Sequence, residues 1–170
     1  MYKQKKNGYS VVEILVYLAI FAALSILVIN SFIVVLGSFS ATRTNRDLLE
    51  SGSTAMERIS REIRQAESID VVNSVFNSSP GALQLNSTNS DGTPTIIEFR
   101  IVNGALNLYQ DDVLMGSLLG QNISATSLVF RRITTTNGEA VKIELTLQDT
   151  VGKLNKLENF YNTIILRGAY

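Results

Sequence analysis

The chain contains no cysteine and no histidine. The first absence removes thiol nucleophiles, disulfides and thiolate metal sites; the second removes the commonest general base and metal-binding imidazole. Histidine-based hydrolytic triads and zinc centres are thereby excluded. Without disulfides the redox compartment stays open, since exported and cytosolic folds alike can do without them. Net charge is lacking too. With 15 basic residues against 15 acidic ones, nothing global favours nucleic acid or an acidic partner. At 170 residues and 45% apolar content, the chain suits one modest domain plus an anchor, not a large multidomain enzyme.

What is present is unevenly placed. Lys3, Lys5 and Lys6 form a basic head, and the run from Ile14 to Leu36 is interrupted only by Ser25, Asn30 and Ser31. As a helix that run is about 35 Å long at ~1.5 Å per residue, enough to cross a hydrocarbon core of about 30 Å with some tilt. Lysines just before it predict a cytoplasmic N-terminus, with the remainder of the chain exported. A cleaved secretory signal has an apolar region of only about 7–15 residues and a small-x-small site after it. This run is longer, and no Ala-x-Ala follows. A signal anchor fits better than a cleaved signal or a buried core helix.

A plain anchor gives no reason to keep Glu13 at the mouth of the apolar run. A centred acid costs roughly 2.5–3.5 kcal/mol even on lenient insertion scales. Negative charge near a helix start is favourable by itself, so a carboxylate snorkelling at the headgroups is the plainer reading. The unit Gly8-Tyr9-Ser10-Val11-Val12-Glu13, behind its lysines, closely resembles the type IV prepilin signal. That resemblance implies cleavage after Gly8 by a membrane aspartyl prepilin peptidase, N-methylation of Tyr9 as the new first residue, and an assembly role for Glu13. The anchor then stays in the membrane until the subunit is extracted into a fibre, where the Glu13 carboxylate meets the α-amino group of Tyr9 on its own or a neighbouring chain. Desolvation offsets much of the gain of such a pair, but a misregistered subunit leaves a charge buried and alone, at a cost of about 3–5 kcal/mol. The pair therefore sets register. Tyr9 stands in place of the usual phenylalanine, and Asn30 in place of the proline many pilins carry, so no proline kink is imposed there.

After Gly37 the composition turns charged while helix formers persist. Leu48, Gly52, Ala55, Ile59, Ile63 and Ala66 recur at spacings of three and four and trace one apolar stripe, with arginines and acids mostly off it. Glu57 and Arg61 have the favourable i,i+4 order. Unbroken from Tyr9 to Glu67, the helix would be about 88 Å long. Gly37 and Gly52 are candidate bend points.

From Ile69 the period falls to two and β-branched residues take over. Expected strands are Ala82 to Asn86, Thr95 to Val102, Ala105 to Tyr109, Ser127 to Ile133, Ala140 to Gln148 and Phe160 to Leu166. Asn103-Gly104 and Asn137-Gly138 mark two hairpin turns. In the run Val141 to Leu147, Val141, Ile143, Leu145 and Leu147 share one face. The stretch Asn77 to Pro94 reads as loop around one short strand. Asn89, Asp91 and Gly92 lack the full ligand alternation of a calcium loop, so no metal or cofactor is expected there.

The expected organisation is α+β: a cleaved leader over residues 1–8, a transmembrane assembly helix over 9–39, an amphipathic helix over 40–68, and an antiparallel β-sheet domain over 69–170. The order of these pieces is similar to minor pilins and to the J-type minor pseudopilins of type II secretion. The resemblance implies a minor subunit of a pilus or pseudopilus, held first in the bacterial inner membrane and then in a surface or periplasmic filament. Its implied partners are the prepilin peptidase, other pilin or pseudopilin subunits, an assembly platform protein, an assembly ATPase and membrane lipid. Removing Lys3, Lys5 and Lys6 tips the side-chain balance towards acid, and Arg131 and Arg132 fall on opposite faces of a strand, so nucleic acid is not an expected partner. The rival reading is a single-pass anchored ligand-binding protein that is never processed. An enzyme is not expected: Asp111-Asp112 is the one adjacent acidic pair, and its place after a hairpin strand predicts a turn.

Overall fold

The computed structural model describes residues 10–135, 138–149 and 156–166. The chain divides into two compact units, Met1–Ala41 and Thr42–Tyr170. A single helix, α1 (Val11–Gln65), contributes residues to both. Strands follow in the order β1 (Ser68–Ile69), β2 (Ala82–Thr88), β3 (Pro94–Val102), β4 (Ala105–Gln110), β5 (Val113–Ser117), β6 (Ile123–Thr135), β7 (Gly138–Asp149) and β8 (Leu157–Ile165). The layout is α+β. In place of one sheet there are two, an antiparallel β1-β2-β3-β4-β5 meander and an antiparallel β6-β7-β8 meander.

In the first unit every large apolar side chain of α1, from Val11 to Phe39, is exposed. The segment has a mean hydropathy of 2.7 over its most apolar window and is long enough to cross a membrane. In the second unit the stripe read from the sequence is the buried one: Leu48, Ala55, Ile59 and Ile63 are fully buried, and Ala66 nearly so. They join one hydrophobic cluster with Leu83, Leu85 and Phe99 of the first sheet and Phe130, Ile143 and Leu145 of the second. Each such Leu, Ile or Phe contributes about 1.5–3 kcal/mol by leaving water, so the helix and both sheets are held by shared burial.

Two polar devices shape the path of the chain beyond the helix. The Glu67 N–H donates to the Asn86 carbonyl at 2.9 Å, which carries the chain from the end of α1 into β1. Asp70 then folds the next residues back, accepting from the Val72 N–H at 3.0 Å, the Asn73 N–H at 3.1 Å and Asn73 Nδ2 at 2.7 Å. Those bonds, the Asn73 side chain first, hold the Asp70 carboxyl below its ordinary value.

The hairpins follow from turn chemistry. Asn103 and Gly104 both have positive φ, 53° and 78°, between the paired residues Val102 and Ala105, as a type I′ turn requires. Asp111 and Asp112 make a second two-residue turn with φ of 50° and 64°, without glycine. Aspartate tolerates this region because its short side chain finds local hydrogen bonds. Asp111 accepts from the Ile96 N–H at 2.8 Å and the Thr95 hydroxyl at 2.9 Å. Thr135 pairs with Gly138 to close β6 on β7, while Asn137 lies outside the described residues.

Several expected boundaries move. β6 starts at Ile123 and not Ser127, because a bulge between Ala125 and Ser127 lets the strand pair four residues earlier than its clean alternation begins. β8 starts at Leu157 and ends at Ile165. β1 and β5 were not among the expected strands. Among the described residues the ion pair on α1 is the half-buried Arg58–Glu62 at 2.8 Å, in place of the expected Glu57–Arg61 pair.

Candidate functional site

The helix start is built by Ser10. Its carbonyl accepts from the Glu13 N–H at 3.0 Å and the Ile14 N–H at 3.2 Å. Ser10 and Glu13 also have the spacing of a capping box, and an acid in the first turn is favoured by the exposed N–H groups of a helix start. The Glu13 carboxylate faces along the helix: Oε1 accepts from the Tyr17 hydroxyl at 3.1 Å, one turn further on. The partner is a neutral donor. It satisfies part of the hydrogen-bonding need of a carboxylate and supplies no counter-charge. Among the described residues no cation forms an ion pair with Glu13.

Of the residues the sequence singled out, Glu13 lies in the first turn of α1, while Gly8 and Tyr9 fall outside the described residues. Tyr17 was missed. The signal that would have found it is the i,i+4 spacing from Glu13, which places a phenol over the carboxylate on one helix face. Asn30 lies within α1, exposed, and as a non-proline it keeps the N–H that a helix interior uses. The Ser25 hydroxyl turns back on its own helix, donating to the Phe21 carbonyl at 2.8 Å, and Ser38 does the same to Val34 at 3.1 Å. Hydroxyls satisfied in this way do not oppose an apolar environment. Glu13 thus stands out as the acid of a segment otherwise fitted to hydrocarbon.

Elsewhere the acidic residues considered at the sequence level serve turns. Asp91 Oδ1 accepts from the Thr93 N–H at 3.0 Å and hydroxyl at 2.6 Å, and these bonds lower its carboxyl below the ordinary value. Asp111 anchors the β4–β5 turn as described above. Arg131 and Arg132 each pair with an acid of β7, Glu144 and Glu139 respectively.

Comparison with family models, with curated proteins and with solved structures finds no match to this chain.

Proposed function

We propose that the chain is a type IV pilin-like subunit, cut between Gly8 and Tyr9 by a prepilin peptidase, methylated on Tyr9, and assembled as a minor component of a pilus or type II secretion pseudopilus. The observation that carries this reading is Glu13: a carboxylate in the first turn of an exposed apolar helix, hydrogen-bonded to a neutral phenol and lacking a counter-charge among the described residues. Removal of the leader creates an α-amino group four residues before Glu13. That cation would give Glu13 the counter-charge that no described residue supplies, and its position one turn away would limit how far two neighbouring subunits can slip. The length and hydropathy of the helix, enough to cross a membrane, support a membrane phase before assembly. In this reading the chain resides in the inner membrane of a bacterium with its second unit exported, and a platform protein and ATPase move it into the filament.

Intact-mass analysis of the protein recovered from its native host tests the processing step. The reading predicts a chain that begins at Tyr9 and carries one methyl group. A chain beginning at Met1 overturns it and favours the unprocessed anchored binding protein.

A further inference from the structure

Among the described residues the β6-β7-β8 sheet ends at β8, and one flank of the α1 segment in the second unit stays exposed there. Along β8, Phe160 seats its ring over Gly52, and Asn162 Nδ2 donates to Ser60 Oγ at 3.0 Å. Beside Asn162, on the uncovered flank, lies a groove of about 520 Å³ whose walls include Ser53, Met56, Glu57, Arg61 and Arg64.

The border of the sheet at this groove is open. β7 pairs with one side of β8, and no described strand pairs with the other. The opposite border, β6, is closed by backbone bonds from the Asn77 N–H to Phe130 and from the Gly81 N–H to Leu128. Backbone groups of an antiparallel strand point alternately to its two sides. The Thr163 N–H donates to Asn162 Oδ1 at 2.9 Å and so faces away from β7. By the same alternation the backbone groups of Asn159 and Tyr161 also face outward, where a further strand would take them up.

The groove wall carries two cations, Arg61 and Arg64, against one acid, Glu57, and so favours an anionic occupant. Arg61 and Arg64 are exposed and form no ion pair with any described residue, whereas Arg58 on the same helix is paired with Glu62. A strand laid along β8 would point every second side chain at this flank, setting one residue against Met56 and later ones against the two guanidinium groups. Main-chain bonds give such an added strand its affinity, and the side chains facing the groove give it specificity.

We propose that this groove docks an extended, acidic segment of another polypeptide, added as a fourth strand on β8 with its carboxylates on Arg61 and Arg64. The proposal concerns the second unit alone and stands independently of processing at Gly8 and Tyr9.

The test uses the full chain in neutral detergent micelles and fluorescence anisotropy of a labelled nine-residue peptide of alternating Glu and Val. Three comparison probes are its Lys-Val counterpart, the acidic peptide N-methylated at alternate amides, and a single-stranded oligonucleotide of equal charge. The acidic peptide is expected to bind in preference to all three, and Arg61→Gln with Arg64→Gln to weaken it roughly tenfold or more, the loss of about 1.4 kcal/mol or more in charge-assisted contacts. Arg46→Glu, on the same helix outside the groove, is expected to leave binding unchanged. Absence of binding overturns the proposal. So does equal binding of the N-methylated peptide or the oligonucleotide, which reduces the effect to charge attraction, and so does retention of affinity in the double arginine variant with an unaltered circular dichroism spectrum.

Discussion

Gly52 of α1 and the ring of Phe160 of β8 fit only because Gly52 has no side chain. A Cβ placed on Gly52 would overlap the ring itself. The glycine costs the helix about 1 kcal/mol relative to alanine, and in return the last strand seats directly on the helix. Gly37, by contrast, has open space where a Cβ would be.

Gly52→Ala is expected to destabilise the chain despite the better helix former, because overpacking costs typically 1–3 kcal/mol. Thermal unfolding in micelles would show a lower Tm, partly restored when Phe160→Leu is added. A Tm raised by Gly52→Ala alone would contradict this packing.

Ile59 is fully buried on the helical stripe, whereas Glu57 is exposed. Ile59→Ala is expected to cost about 2–5 kcal/mol by lost transfer energy and a residual cavity. Glu57→Ala should stay within about 0.5 kcal/mol. Urea denaturation with unchanged slopes separates the two; similar midpoints for both variants would mean that α1 does not pack as described.

Glu144 gives a pH dependence. Arg131 grips its carboxylate through Nε at 3.1 Å and Nη2 at 3.3 Å, and Lys142 Nζ adds a contact at 2.8 Å. The hydrogen bonds from Arg131, then Lys142, pull the Glu144 carboxyl from its ordinary 4.5 down to about 2. Because the folded value lies below the unfolded one, the stabilising contribution is complete above about pH 4.5 and is lost as pH falls towards 2. Side-chain carboxyl NMR should find Glu144 titrating near 2, and Glu144→Gln should flatten that part of the stability profile. A midpoint near 4.5 would mean the fork is not formed in solution.

How much of this was legible in the sequence depends on the kind of signal. The stripe from Leu48 to Ala66 and the faces of β7 were readable because burial imposes a period on the chain, and Asn103-Gly104 because few residues adopt two successive left-handed conformations. β5 was not readable. Val113, Leu114 and Met115 are all exposed, so no alternation marks the strand, and the Asp111-Asp112 turn lacks the glycine that signals a hairpin. Nor was the division into two sheets, since a period of two assigns a residue to a face without saying which sheet the face belongs to. Arg58–Glu62 runs in the less favourable i,i+4 order, so the sequence rule pointed to Glu57–Arg61, and the choice between them was set by side-chain conformers that no spacing rule reads. At the candidate site Glu13 was visible as a misplaced charge, whereas Tyr17 was hidden among apolar neighbours.

The most direct test of the assembly claim compares Glu13→Gln with Tyr17→Phe in the native host, reading the amount of this chain in sheared filaments against the amount in the membrane. If Glu13 answers the α-amino group of Tyr9, Glu13→Gln is inserted and cleaved normally yet its incorporation falls roughly tenfold or more, because the amine is left buried without a partner. Tyr17→Phe, which removes only a neutral donor, is expected to assemble near the level of the unaltered chain. Incorporation of Glu13→Gln at that same level would contradict the account.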